Sequence, residues 1–302
     1  MKLLTNSGPL GELLNRPKPV HLYHYTGPAG VIGILSSRTL WAGRPADMND
    51  ATEQILAREY ALEILSSLEF PNRSFGEGMV QYALEHLSHP WRLRFEGSRA
   101  YTVSLTSERD SLEQWRAYCP RSGGVALGFS TDHLVNVAAD QGFILVPCVY
   151  DRPTHREITG QIVKYHLGSW NKRRPLEAPR QGISSHLVRD FIADLERFAP
   201  LLKHPSFAAE REWRLISPLV GEGINSEFIH VPSASGIKQF QSFSLLTAQH
   251  PSIPVKGYDR QGFRPVIGPN LDPGGMEEAI RTLVPREFGW LYGIDRTESP
   301  YR

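Results

Sequence analysis

Cysteine is scarce in this chain, with only Cys119 and Cys148 among 302 residues. That pair offers neither a metal-ligand spacing nor the density of a secreted disulfide framework, so reduced and mostly buried thiols are expected. Excess charge is missing too. Thirty-three basic and 32 acidic side chains leave a formal net charge of +1, which removes bulk electrostatic attraction as a basis for binding DNA, RNA or membrane. No apolar run reaches the roughly 18 residues of a membrane span, and the first ten residues, broken by Gly8 and Pro9, are too interrupted for a signal peptide. With no repeat and no low-complexity tract, a cytoplasmic globular protein is expected.

What is present is an ordinary globular composition, 40% hydrophobic and 22% charged, in a chain long enough to bury a real core. Residues 1–20, with Gly8-Pro9 and the Pro17-Lys18-Pro19 cluster, read as a loosely ordered lead-in. Residues 20–25 alternate as a strand does, Gly27-Pro28 breaks the pattern, and Val31, Ile34 and Leu35 then share one helical face. A short strand follows at 39–42. Helical periodicity covers about 50–68 and 78–87, and again about 160–202. Strands are expected at 101–105, 124–129, 143–150, 212–216, 228–231, 238–246, 265–267 and 290–295, with helices at 111–118 and 276–283. The expected architecture is one mixed α+β domain over 21–302, with helical insertions near 50–95 and 155–205.

Three polar stretches stand on or beside these apolar runs. His24 and Thr26 point the same way because strand side chains alternate with period two, which gives the first strand a polar face; the turn and helix that follow would close a pocket over it. Ser104 and Thr106 share a face in the same manner. Glu210 and Glu212 lie two residues apart at the start of a strand, where two carboxylates repel unless a cation stands between them, and Arg211 and Arg214 are the candidates for that cation. Each motif has a plainer structural explanation: an edge strand, a strand cap, a solvated charged rim. Asp50 and Glu53 read as a helix cap.

In order along the chain, Tyr23-His24-Tyr25-Thr26, the Asn49-Asp50 to Glu53 segment, Ser104 to Trp115 and Tyr118, the Gly123-Gly124 turn, and Glu210-Arg211-Glu212-Trp213-Arg214 resemble the bacterial family called domain of unknown function twenty-nine seventy-one. That family is in turn similar to the ADP-ribosyltransferase superfamily. The resemblance implies split antiparallel or mixed β-sheets that clamp NAD in a bent form, with NAD as co-substrate and no metal. It also implies a nucleic-acid or protein acceptor, and a role as a toxin or phage-defence effector with a neutralising partner protein.

Breaking the bond from nicotinamide to ribose develops positive charge on the sugar, so the site needs a carboxylate aimed at that state. On this resemblance Glu212 is the catalytic carboxylate and Glu210 orients or deprotonates the acceptor. His24 would hold the adenine-side ribose, Thr26 and Ser104 the nicotinamide and its sugar, and Arg44 the pyrophosphate. Trp115 and Tyr118 would offer a stacking surface, and Tyr25, Asn49 and Thr106 complete the expected NAD-binding set. Two rival expectations are a magnesium-dependent nuclease built on Glu210, Glu212 and Asp50, and a non-catalytic binding module.

Overall fold

The computed structural model describes residues 7–45, 52–70, 75–88, 100–172, 181–219, 228–233, 236–246, 262–270, 272–284 and 293–299; within the helices it gives the backbone alone for 52–54 and 181–185. The fold is mixed α+β, built on an open mixed sheet. In chain order the helices and strands are α1 Gly8–Leu14, β1 His21–Thr26, α2 Pro28–Ser37, β2 Thr39–Gly43, α3 Thr52–Ser66, α4 Phe75–Ser88, β3 Thr102–Thr106, α5 Leu112–Tyr118, β4 Val125–Ser130, α6 Thr131–Asp140, β5 Ile144–Pro147, α7 Arg152–Asn171, α8 Gln181–Phe198, β6 Glu212–Ile216, β7 Phe228–Ser233, β8 Gly236–Ser244, β9 Val266–Ile267, α9 Pro273–Leu283 and β10 Asp295–Arg296. Two 3-10 segments, Ala199–Leu201 and Pro205–Glu210, lead from α8 into β6.

Local chemistry sets the element ends. The Ser111 hydroxyl accepts from the Gln114 N–H at the start of α5, Asp151 caps α7 through the Thr154 N–H, and Asp272 caps α9 through the Gly275 N–H; such a cap contributes about 1 kcal/mol. Gly27 and Pro28 start α2, and Arg38 ends it in the left-handed region at φ 57°. Gly30 is required where α2 passes over β1, because a Cβ there would lie 2.0 Å from Thr26 Oγ1.

The sheet branches at β3. Along one edge β3 pairs with β6 through its whole length, from Thr102↔Ile216 to Thr106↔Glu212, and β6 carries β5 beyond it. Along the other edge β3 meets two strands in succession, β2 at Gly43↔Thr102 and β1 at Tyr23↔Thr106. From β1 the sheet runs on through β4, β9 and β10; from β2 it runs through β8 and β7. Among the described strands only β9 and β10 pair in parallel. Ser104, midway between the two contact points, faces the gap where β1 and β2 part.

One face of the sheet, bearing Leu22, Leu105, Leu127, Trp213 and Leu215, is covered by α2, α6 and α9 through Val31, Leu35, Leu134, Val137 and Ile280. Over the opposite face near β5 and β6, helices α3, α4, α7 and α8 pack into a single apolar layer with Val146 and Ile216, so both expected helical insertions join one structure. That layer also takes in α1: Leu10 is buried in it and its N–H donates to Gln161 Oε1 at 2.9 Å. The segment read as a loose lead-in thus contains a docked helix. The helix α6 was not anticipated from the sequence, although Leu134, Val137 and Ala138 supply its buried stripe.

Candidate functional site

Cross-strand partners share a face, so Tyr23, Thr106 and Glu212 form one row across β1, β3 and β6, and Ser104 lies opposite Arg214 in the next. Around this face are grouped most of the residues singled out from the sequence. Their environments differ sharply.

Glu212 is buried at 5% exposure, and its carboxylate accepts from two cations. Arg214 donates to Oε1 through Nε at 2.7 Å and to Oε2 through Nη2 at 3.1 Å, while Lys203 Nζ donates to Oε2 at 2.5 Å. Burial alone would raise its pKa, but Arg214 and Lys203 outweigh that and bring it down to about 2. Arg214 is equally buried and also donates to the Pro200 carbonyl at 2.7 Å. The backbone N–H of Glu212 donates to the Tyr150 hydroxyl at 2.9 Å.

Glu210 is held differently. Its Oε2 accepts from Lys203 Nζ at 2.5 Å, its side chain keeps 19% exposure, and Oε1 has no partner among the described residues. Its carbonyl accepts from Thr106 Oγ1 at 2.6 Å. The two carboxylates converge because Glu210 ends a 3-10 turn and Arg211 takes a left-handed conformation, φ 43°, before the strand begins. Arg211 turns outward to Glu108, so the cation between the carboxylates is Lys203. Burial opposes its charge, yet Glu212 and Glu210 raise its pKa above the ordinary lysine range. Lys203 was missed in the sequence, where an isolated lysine in Leu202-Lys203-His204-Pro205 carries no signal of its own.

His24 and Thr26 lie on the other face of β1, with Leu22, and not on the face of Glu212. The imidazole reaches the branch point of the sheet: Nδ1 is 3.1 Å from the Ser104 carbonyl oxygen. A carbonyl only accepts, so Nδ1 carries the proton and Nε2 presents a lone pair, without a partner among the described residues. Burial holds His24 below the ordinary imidazole pKa, against the Ser104 bond. Ser104 Oγ is buried and has no hydrogen-bond partner among the described residues.

Other expected members serve as packing or structural bonds. Tyr25 is buried, donates to the Glu108 carbonyl at 2.8 Å, accepts from the Ser111 N–H at 3.0 Å, and meets Trp115 edge-on at 4.5 Å. Trp115 is 1% exposed, packs where Gly268 leaves room for no Cβ, and donates to Asp110 Oδ1 at 2.6 Å. Thr106 Oγ1 also accepts from the Glu108 N–H at 3.0 Å. Tyr118 is exposed; burial of part of its ring, and then the charge of Glu210, raise its phenol pKa. Arg44 follows β2 and is half-buried. Asn49 and Asp50 lie outside the described residues.

Among the described residues no group of three or more His, Cys, Asp or Glu side chains is arranged to hold a metal ion, and Lys203 occupies the space between the carboxylates that a nuclease reading would give to magnesium. Neither Cys119 nor Cys148 is in a disulfide. Among the same residues no helix is long and apolar enough to cross a membrane.

No curated protein and no solved structure matches this chain. Residues 114–215, which run from within α5 to β6 and carry Tyr118, Lys203, Glu210, Glu212 and Arg214, are similar to the family described as Protein of unknown function (DUF2971).

Proposed function

We propose that this protein is an NAD-consuming transferase of the ADP-ribosyltransferase type, which breaks the bond from nicotinamide to ribose and passes ADP-ribose to an acceptor. The observation that carries the reading is the position of β3, bordered on one edge by the strand of His24 and on the other by the strand of Glu212. Two segments remote in sequence are brought to the two edges of one strand, whose Ser104 hydroxyl is buried without a partner among the described residues. Because His24 and Glu212 stand on opposite faces, a dinucleotide that touched both would have to pass through the gap at the branch point of the sheet.

In this reading the lone pair on His24 Nε2 accepts from a ribose hydroxyl at the gap between β1 and β2. The two glutamates take unequal parts. Glu212, ionised over the whole physiological range and saturated by Arg214 and Lys203, fixes the cluster in place and does not carry protons. Glu210 keeps an oxygen free toward solvent, so it is the carboxylate that can approach the sugar or the incoming nucleophile.

A second reading, a binding module that keeps this architecture without turnover, is favoured by the charge of the cluster. Two carboxylates, one ammonium and one guanidinium cancel, which leaves little field for a developing cation. The deciding experiment is incubation of the purified protein with NAD labelled on the adenine side, with and without nucleic acid or lysate protein. Release of nicotinamide that is lost in Glu210→Gln supports the transferase; no release under any acceptor condition, with no binding of NAD, overturns it.

A further inference from the structure

Tyr150 is set beside Lys203 by the backbone. The Val149 N–H donates to the Leu201 carbonyl at 2.8 Å, and the Lys203 N–H donates to the Val149 carbonyl at 2.9 Å, so the segment that delivers Lys203 to the glutamates also pins the residue before Tyr150. Asp151, the residue after it, caps α7 through the Thr154 N–H. Held from both sides, the half-buried Tyr150 side chain reaches the start of β6, where its hydroxyl oxygen accepts from the Glu212 N–H at 2.9 Å. A phenol that accepts one hydrogen bond still has its own hydrogen to give. Tyr25 uses both capacities, accepting from the Ser111 N–H and donating to the Glu108 carbonyl. The hydroxyl hydrogen of Tyr150 has no acceptor among the described residues. Burial raises the phenol pKa, so that hydrogen is present throughout the physiological range.

We propose that Tyr150 touches the ligand of this site, donating its phenolic hydrogen to a hydroxyl oxygen of the ribose that carries nicotinamide. The group it meets must be an acceptor. A phosphate oxygen is disfavoured, because the two carboxylates, the ammonium and the guanidinium of the cluster cancel and leave no net charge to hold an anion. A sugar hydroxyl suits a neutral donor, and its own hydrogen stays available for a second acceptor. The Glu212 N–H already occupies one lone pair of the phenol, so the donor is oriented before any ligand arrives. The inference rests on the transferase reading and adds a residue to it: Glu210 offers the site an acceptor, and Tyr150 a donor.

The test is calorimetric binding of ADP-ribose, which carries the same ribose and is not consumed, beside two analogues that lack the 2- or the 3-hydroxyl of the terminal sugar. The parent protein should bind ADP-ribose about tenfold more tightly than one of the two analogues. Tyr150→Phe should bring that pair within about twofold. A purely structural tyrosine would weaken all three ligands alike and leave their ratios unchanged. Tyr150→Phe also strands the Glu212 N–H, so Tyr150→O-methyltyrosine, which keeps an oxygen for that N–H and lacks only the hydrogen, is the second variant; it should melt with the parent and lose the same discrimination. Equal affinity of the parent for all three ligands, no binding of ADP-ribose, or discrimination that survives in either variant overturns the contact. Nicotinamide release from NAD is read separately. Discrimination by Tyr150 without release keeps the contact and discards the transferase, and release with ratios unchanged by either variant does the reverse.

Discussion

The Nδ1 of His24 stands 3.1 Å from the carbonyl oxygen of Ser104, at the residue of β3 that lies between its contact with β1 and its contact with β2. A side chain from one arm of the sheet thus makes the hydrogen bond that no neighbouring strand supplies there. The same contact fixes the imidazole tautomer.

His24→Asn should keep a donor near the Ser104 carbonyl but withdraw the Nε2 lone pair. The expected result is a folded protein, within about 1 kcal/mol of the parent in urea unfolding, with NAD binding weakened by about tenfold or more. His24→Phe leaves the carbonyl unsatisfied and should lose about 1–3 kcal/mol as well. Unchanged NAD affinity in both variants would remove His24 from the site.

The two glutamates should separate cleanly. Glu212→Gln leaves Lys203 and Arg214 buried with one carboxylate between them, so a loss on the order of 3 kcal/mol of stability is expected. Glu210→Gln, at a partly exposed side chain, should cost no more than about 1 kcal/mol while abolishing nicotinamide release. Thermal melts alongside a nicotinamide-release assay read both effects.

Acid should destabilise the fold in two stages. Burial lowers the pKa of His21, His24, His133 and His155. The unfolded chain therefore binds more protons there, and stability falls as pH drops below about 6.5. Glu212 acts later. Its folded pKa of about 2 lies below the unfolded value, so its contribution is intact above about 4.3 and disappears as pH falls toward 2. Urea midpoints measured between pH 7 and pH 3 should show a first decline carried by the histidines, and a second that is shallower in Glu212→Gln, where, among the described carboxylates, Asp110, Asp151 and Glu277 remain with lowered pKa.

Gly128 on β4 faces backbone: a Cβ there would lie 2.3 Å from the Arg264 carbonyl oxygen, and the Arg264 N–H donates to the Gly128 carbonyl at 2.8 Å. Gly128→Ala should part β4 from the 264 segment and cost about 1–3 kcal/mol. Gly78→Ala, in a helix where a Cβ meets nothing within 4 Å, should instead stabilise by about 0.5–1 kcal/mol. Paired denaturation curves test the contrast.

The strands that frame the site were readable because their patterns are strong. Residues 212–216 alternate between ionic and apolar side chains and form β6 over the expected span, and 111–118 carry both a serine cap and a helical stripe. The helix α1 was hidden by Gly8-Pro9, read as breakers although proline is well suited to a first helical turn. Lys203 was hidden for a different reason: it meets the glutamates only through two 3-10 turns and a left-handed Arg211, a path that leaves no periodic trace. The placement of His24 on the face opposite Glu212 follows from register, which depends on pairings between residues about 80 to 100 positions apart.

That distance also governs how the chain reaches its native state. β3 needs β1 from far upstream on one edge and β6 from far downstream on the other, with α2 to α4 looped out on the first side and α5 to α8 on the second. Contacts of such span form late, so refolding from denaturant should take milliseconds to seconds or longer. The branched strand would remain open until both distant neighbours had arrived, and the cluster of Lys203, Glu210, Glu212 and Arg214 would be among the last parts to assemble.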